Sequence, residues 1–515
     1  MMLFRTACLV SVLLLSLARP ADAREVSITI LHTTDLHGFL RPVRDYEGNE
    51  GVGGVLRLAS AIEAERAGIR NVLLLDSGDT YQGGPESFLT GGQIMNRVLD
   101  GLGYDAWVLG NHEFDWGLDR LAERLEEGTT PVLGANIAPR PGTDHPLPRL
   151  KPFLIRELDG VRVAIIGLTT PAIPSWSRPH LVGNLVFSGS VDSLREILPS
   201  VRAERPDVMI LIAHQGYMPY GDNHANEINA IARHFPELDV ILGGHTHQVI
   251  PRAEINGILY VQPGYHGIWL GRVDLVYDTV ERRLIRREGR VIHVGDGYEK
   301  HPELKALLSE DLERTERLLD ERVGRAKTEL AARTSIEGQS PVQQLISRAI
   351  AGAVDAEIVL HNVFSKDSIP EGDIRFGDVW NLMPYDNTIG VLQLTPGELT
   401  EILEENAALS GRPHFQGVYG VRYDLHPRAP EGERVRNLRQ ADGSRLHPRR
   451  RYRVAINSYV LASGGARFPA ARRLADHPLS RLDMTDIHTR SAVLDYIRRE
   501  SPLQPQPFDQ VTIIR

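Results

Sequence analysis

Cysteine is almost missing from this chain: of 515 residues only Cys8 is a thiol, and it lies in an N-terminal segment that reads as removable. A mature chain without thiols cannot depend on disulfides and cannot hold a metal through sulfur. Any metal must sit on nitrogen and oxygen. Positive charge in excess is missing too. The formal net charge is −9, which argues against a nucleic-acid polymer as partner, because binding one calls for a basic face. Long apolar runs are confined to the start, where Arg5 is followed by LVSVLLLSLA (9–18) and then ADA (21–23) before Arg24. The run is well short of the roughly 20 residues that span a bilayer. Residues 1–23 are therefore expected to be a secretory signal peptide cut near Ala23, giving an exported chain, periplasmic or secreted. No transmembrane span is expected in the remainder, which also has no internal repeat and no low-complexity tract.

What is present points to two large folded units. A single core stops growing near roughly 250–300 residues, and this chain is about twice that. Its apolar share of 42 % and charged share of 24 % are those of a soluble globular protein, which excludes both disorder and a membrane bundle. The first half repeats a short apolar run, a turn with Asp, His, Asn or Gly, and a helical pattern. The runs include VSITIL (26–31), NVLLLD (71–76), AWVLG (106–110), VMILIAH (208–214) and VILGGH (240–245). Continuous apolar runs alternating with helical stretches such as VLRLASAIEAERAG (55–68) predict a buried sheet covered by helices, an α/β layered domain. Residues 301–327 are charge-rich, helical in period and start with Pro302 at a favoured first-turn position, so a helical linker is expected there. A second mixed region follows over 328–515, opened by a helix at SPVQQLISRAIAGAV (340–354).

Open α/β sheets bind ligands at the C-terminal ends of their strands. Five such ends here carry HTTDLHG (32–38), DSGD (76–79), GNHEFD (110–115), AHQG (213–216) and GGHTH (243–247). Together they offer Asp35, His37, Asp76, Asn111, His214, His245 and His247, a nitrogen and oxygen set that divalent Zn, Mn, Fe, Co or Mg can use. The set exceeds one tetrahedral site. Two ions about 3.5–4 Å apart, bridged by one carboxylate, would use all of it and form a clamp suited to hydrolysing a phosphate ester. Singly, each residue has a plain reading: His214 as a satisfied sheet-end histidine, Asp35 or Asp76 as a helix N-cap. Five motifs together outweigh those readings. Asp79 reads as a structural turn aspartate, Glu113 as a local cap or partner, and His32, His224, His234 and His266 as core or surface.

The order D-x-H, G-D, G-N-H-[DE], an isolated His and G-H-x-H resembles that of calcineurin-like metallophosphoesterases. The D-L-H-G, N-H-E-F-D and G-G-H forms are similar to the 5′-nucleotidase branch. The resemblance implies a four-layer α/β/β/α sandwich over 24–300, joined by the helical linker at 301–327 to an α+β substrate domain over 328–515. It implies that Asp35, His37, Asp76 and His247 hold one divalent ion, that Asp76, Asn111, His214 and His245 hold the other, and that Asp76 bridges them. It gives His112 the part of a charged group that stabilises or protonates the reacting phosphate, with Asp115 holding the imidazole protonated.

The second half carries the resemblance on through IPEGDIRFGDVWNLMPYDNTIGVLQLTPGEL (369–399), FQGVYGVRYD (415–424) and YRVAINSYVLASGGARF (452–468). By family position Phe415 and Phe468 would stack a nucleobase, a contact of about 1–3 kcal/mol per base, and Asn387 would be a polar contact to the ligand. The sequence departs from the branch at LHNVFSKDSIP (360–370), where the nucleotidases have a glycine-rich N-G-G-x-R stretch. Lys366 stands nearest the missing arginine, without its planar fork. The implied activity is release of phosphate from a small phosphate ester, a nucleoside 5′-monophosphate or a related nucleotide. The alternatives are a 2′,3′-cyclic nucleotide phosphodiesterase/3′-nucleotidase, a nucleotide-sugar pyrophosphatase, the sulfur-oxidising thiosulfohydrolase branch, and a non-catalytic solute-binding protein on the same fold.

Overall fold

The computed structural model describes residues 25–177, 179–333, 339–363, 365–383, 387–412, 414–463, 467–506 and 510–514. The expected signal segment and Cys8 lie outside them. No helix among the described residues is long and apolar enough to cross a membrane.

Two six-stranded sheets form the first half. One runs Arg283–His293, Trp269–Asp278, Glu25–Thr33, Val72–Asp76, Ala106–Val108, Val132–Leu133. The other runs Val249–Ile255, Ile258–Pro263, Val240–Leu242, Val208–Ala213, Val161–Leu168, Phe153–Leu158. Period-two alternation decides which side chain faces which layer. Val26, Ile28 and Ile30 pack into the space between the sheets with Val163, Ile165, Ile210 and Ile212. Leu31 points the other way, onto Leu58 and Ile62 of helix Val55–Arg66. Helices Ser190–Ala203 and Ile228–His234 cover the outer face of the second sheet. The result is the four-layer α/β/β/α sandwich, and burial on both faces explains why central strands such as Val208–Ala213 and Val240–Leu242 are apolar throughout, whereas the edge strand Arg283–His293 carries exposed charge.

Parallel pairing fixes where the chemistry goes. Glu25–Thr33 pairs parallel with Val72–Asp76, which pairs parallel with Ala106–Val108. In the second sheet Val208–Ala213 pairs parallel with Val240–Leu242. Each of these five strands ends within or just before one of the polar motifs.

Helices Pro302–Leu307 and Ser309–Leu319 follow the sandwich, and Leu304, Leu308 and Leu312 bury against its first helical layer. Residues 322–326, expected to continue the helix, instead form strand Arg322–Ala326, antiparallel to Gly372–Arg375. Val323 and Ala326 are buried in the core of the second half while Arg322 and Arg325 stay exposed; that spacing of three also fits a helix, and it is the pairing with Gly372–Arg375, irregular between Arg322 and Gly324, that makes the segment a strand. That second half is α+β. A five-stranded sheet runs Gly417–Tyr419, Ile358–His361, Tyr452–Asn457, Thr388–Leu394, Asp483–His488. Helices Pro341–Val354, Pro396–Ala407 and Thr489–Glu500 cover it. Two of them start at side-chain caps: Ser340 accepts the Gln343 N–H at 3.0 Å, and Thr395 and Glu398 form a reciprocal box.

Candidate metal centre

The loops beyond the strand ends are built on unusual backbone. Asp35 (φ 51°), His37 (49°), Asp79 (55°), His245 (70°) and His247 (55°) all occupy the left-handed region, which side chains other than glycine seldom visit and which recurs at functional sites. Backbone bonds zip two of the loops together: Asp35 N–H donates to Gly78 O (2.9 Å), His37 N–H to Asp79 O (2.8 Å) and Gly38 N–H to Thr80 O (2.8 Å). Gly110 has to be glycine here, because a Cβ would fall 2.2 Å from Asp79 Oδ1.

The side chains gather into overlapping groups. Asp35, His37 and His247 form one, with His37 Nε2 3.0 Å from His247 Nε2 and Asp35 Oδ1 3.3 Å from His247 Nε2. Asp79, His214 and His245 form another; Asp79 Oδ2 is 3.1 Å and Asn111 Oδ1 is 3.2 Å from His214 Nε2. Asp79 Oδ2 also lies 3.9 Å from His37 Nε2, and Asp79 groups with His37 and His112. One carboxylate thus faces both clusters, and it belongs to Asp79.

Asp76 was expected in that place and is elsewhere. It is the last residue of its strand, in register with Trp107, and its carboxylate is fully engaged: Thr33 Oγ1 donates to Oδ2 (2.7 Å), while Thr80 Oγ1 (2.8 Å) and Gly78 N–H (2.9 Å) donate to Oδ1. Burial pushes its carboxyl up to about 7 against those three bonds. Asp76 holds the loop together, and Asp79, taken from the sequence as a structural turn residue, occupies the position between the imidazoles. Burial works to raise the Asp79 carboxyl, but the His214 and His112 imidazoles outweigh it and hold it well below the usual range.

The cluster suits divalent cations. Nδ1 of His37 meets Gln82 O at 2.8 Å, Nδ1 of His214 meets Ser77 O at 2.7 Å, and Nδ1 of His247 meets the Tyr46 hydroxyl at 2.8 Å. Protons on those nitrogens leave each Nε2 lone pair aimed into the cluster, the arrangement by which outer partners orient metal-binding imidazoles. Asp35 Oδ1 is buried with no hydrogen-bond donor. Converging lone pairs and carboxylates, all on nitrogen and oxygen, call for positive charge at the centre.

His112 stands beside these groups, its ring 5.2 Å from that of His37. Its Nδ1 lies 2.7 Å from Asp115 Oδ2, and its backbone N–H donates to Asp79 Oδ1 (2.9 Å). Burial would lower its pKa, but Asp115 and Asp79 override it and raise the imidazole to about 10. His214 is likewise raised, to about 9, where burial is outweighed chiefly by Asp79.

Three residues of the site were not legible as such. Glu113 is buried and accepts backbone N–H groups from Thr80 (2.7 Å), Asp79 (3.0 Å), Tyr81 (3.0 Å) and Gly110 (2.6 Å), so it shapes the loop that carries Asp79. Its offset of two residues from Asn111 in GNHEFD was the available signal. Trp176 stacks on His245 (5.1 Å between centroids, 26° between planes), and Tyr46 bonds His247. Neither belongs to a motif. His266, read as core or surface, lies with its ring 5.7 Å from His37 and 6.0 Å from His247. Far from the cluster in chain order, Phe415 and Phe468 are 4 % and 1 % exposed and pack in the core of the second half with Leu360, Leu392 and Val418. As placed, neither ring is open to a ligand. Asn387 is tied within the same half, its backbone O accepting from Thr489 N–H (2.9 Å). Lys366 is on the loop that holds Asp367, and Asp367 pairs with Arg44 of the first half at 3.0 Å.

Comparison with known proteins agrees with this geometry. Residues 28–249 match the calcineurin-like phosphoesterase family and residues 322–473 match the 5′-nucleotidase C-terminal domain. The 5′-nucleotidase of Vibrio cholerae is 26 % identical over 93 % of this chain and 92 % of its own. A 2′,3′-cyclic-nucleotide 2′-phosphodiesterase/3′-nucleotidase of Salmonella typhimurium is also 26 % identical, over 87 % of this chain and 83 % of its own. The crystal structure of a 5′-nucleotidase precursor from Thermus thermophilus shares the fold, with a TM-score of 0.72 at 24 % identity over 95 % of this chain and 99 % of its own. Against two longer Bacillus subtilis relatives, the chain spans 39 % of their length. Most of a two-sheet sandwich with Asp, Asn and His gathered at its strand ends is what residues 28–249 contribute, and they match the calcineurin-like phosphoesterases. The second half makes the likeness narrower: a match to the calcineurin-like phosphoesterase family is followed by a match to the 5′-nucleotidase C-terminal domain.

Proposed function

We propose that the protein is an exported hydrolase that uses two divalent cations to release phosphate from nucleoside 5′-monophosphates. The observation that carries this reading is the position of Asp79 Oδ2, 3.1 Å from His214 and 3.9 Å from His37, facing two ligand clusters at once. One ion would sit with Asp35, His37, Asp79 and His247, the other with Asp79, Asn111, His214 and His245. When bound, the ions supply Lewis-acid activation of water and of the phosphate oxygens. The chain's own groups do the rest. His112, protonated and steadied at Nδ1 by Asp115, offers its Nε2–H to charge developing on phosphate or leaving oxygen. Asp79 and Glu113 fix the turn on which that imidazole is presented. Export is supported by the composition of residues 1–23.

Relatives with 5′-nucleotidase and cyclic phosphodiesterase activities stand at equal identity, and the 360–370 loop lacks the branch's arginine. A second reading, hydrolysis of 2′,3′-cyclic or 3′-nucleotides, therefore stays beside the first. Phosphate release measured across 5′-, 3′- and cyclic nucleotides, nucleotide sugars and simple phosphomonoesters decides between them. Preference for 5′-monophosphates is expected; absence of release from every ester at any metal loading would sink both.

The burial of Phe468 favours packing over a base clamp. Phe468→Ala is expected to cost about 3–5 kcal/mol of stability, as for a large core aromatic, and to lower AMP and aryl phosphate hydrolysis alike. A loss confined to AMP, with the melting temperature unchanged, would restore the clamp.

A further inference from the structure

The loop at 41–52 crosses from the second half of the molecule to the metal-binding cluster. At one point Arg44 Nη1 donates to Asp367 Oδ1 (3.0 Å). Two residues on, the Tyr46 hydroxyl lies 2.8 Å from His247 Nδ1. Tyr46 is 53 % exposed, yet it is held: its ring stacks on Tyr265 (4.2 Å between centroids, 18° between planes), and its backbone N–H donates to the Tyr265 hydroxyl (3.0 Å). The partners of His37 and His214 at the equivalent nitrogen are backbone carbonyls of the cluster's own loops. His247 alone among these three relies on a side chain, and that side chain comes from 201 residues away.

We propose that Tyr46 is a positioning residue for the metal centre: its hydroxyl accepts the His247 Nδ1–H, sets the tautomer that frees Nε2, and is kept in place by the Arg44–Asp367 pair between the two halves. The inference rests on the two-cation reading above. An oxygen acceptor behind a metal-binding imidazole fixes ring orientation and raises ligand basicity, and its removal typically lowers metal affinity about 10- to 100-fold. Exposure puts Tyr46 at the low end of that range. The Arg44–Asp367 pair is itself half exposed, so its loss should be felt only as a minor loosening, about 2- to 5-fold, on the scale of surface ion pairs.

Tyr46→Phe separates the hydroxyl from the ring, since phenylalanine keeps the stack on Tyr265. Full-length protein, wild type and variant, is stripped of metal and titrated with Zn²⁺ against a chromogenic chelator, with the melting temperature of the stripped forms measured beside it. In Tyr46→Phe one Zn²⁺ equivalent is expected to bind about 10-fold more weakly, the other to be unchanged, and the stripped melting temperature to match wild type; Asp367→Asn should weaken the same equivalent by the smaller factor. Wild-type Zn²⁺ affinity in Tyr46→Phe, with a loss only in Tyr46→Ala, would make Tyr46 a packing residue and overturn the inference while leaving the phosphohydrolase reading intact. Failure of the wild type to bind Zn²⁺ at all would overturn both.

Discussion

Asp79→Asn should leave the protein folded, bind at most one metal ion and turn over at least about 10³-fold more slowly, whereas Asp76→Asn should keep both ions and most of the activity. Asp79 is the carboxylate shared by the two clusters. The amide preserves its shape and removes the charge that balances two dications. The reduction exceeds that of a single lost transition-state donor, about 10²–10³-fold, because ligand and template are lost together. Asp76 makes its bonds to Thr33, Thr80 and Gly78 rather than to the cluster. With its carboxyl already raised to about 7, neutralising it costs little charge at neutral pH. Elemental analysis after gel filtration, paired with kcat on an aryl phosphate, reads both variants. Two retained ions in Asp79→Asn, or none in Asp76→Asn, would reverse the assignment.

His112→Ala is expected to keep its metal and lose about 10²- to 10³-fold in kcat, the scale of a contact made to developing charge. Its titration gives a second handle. In metal-stripped protein the imidazole should titrate near 10, because Asp115 and Asp79 outweigh burial; bound dications should lower that value, since like charges disfavour the protonated ring. A pKa raised from 6.5 to about 10 means the folded form binds the proton more tightly. The contribution to stability is therefore full below about 6.5 and is lost as pH rises through about 10. Asp115→Asn should move the titration back toward 6.5. Proton resonances of His112 followed against pH in the stripped wild type and in Asp115→Asn check this, and a His112 that titrates near 6.5 in the wild type would remove the imidazolium from the scheme.

Much of the sandwich could be read along the chain, because strands buried on both faces are apolar without interruption and the motifs fall where those runs stop. The choice between Asp76 and Asp79 could not be read from composition or from spacing alone. Both lie in DSGD, and the difference is one of backbone: Asp76 is still in the strand, paired with Thr33 and Trp107, while Asp79 is past it in the same left-handed conformation as Asp35 and His37. The other proposed ligands also lie beyond the last strand residue, which is the rule that favoured Asp79. Tyr46 and Trp176 are not legible in the sequence for a different reason. They meet His247 and His245 through tertiary approach alone, and no period or motif records such an approach. At 322–326 a charged helical pattern runs on past Leu319, and Val323 and Ala326 keep a helical spacing, yet the segment pairs as a strand with Gly372–Arg375, so tertiary pairing overrides the local pattern.

The five left-handed residues Asp35, His37, Asp79, His245 and His247 set a tension between durability and turnover. Each non-glycine residue in that conformation costs roughly 1–2 kcal/mol, so selection for heat resistance alone would exchange them for glycine and erase the chemistry with them. A line of descendants that kept the sandwich but gave up hydrolysis would be expected to shed these residues first.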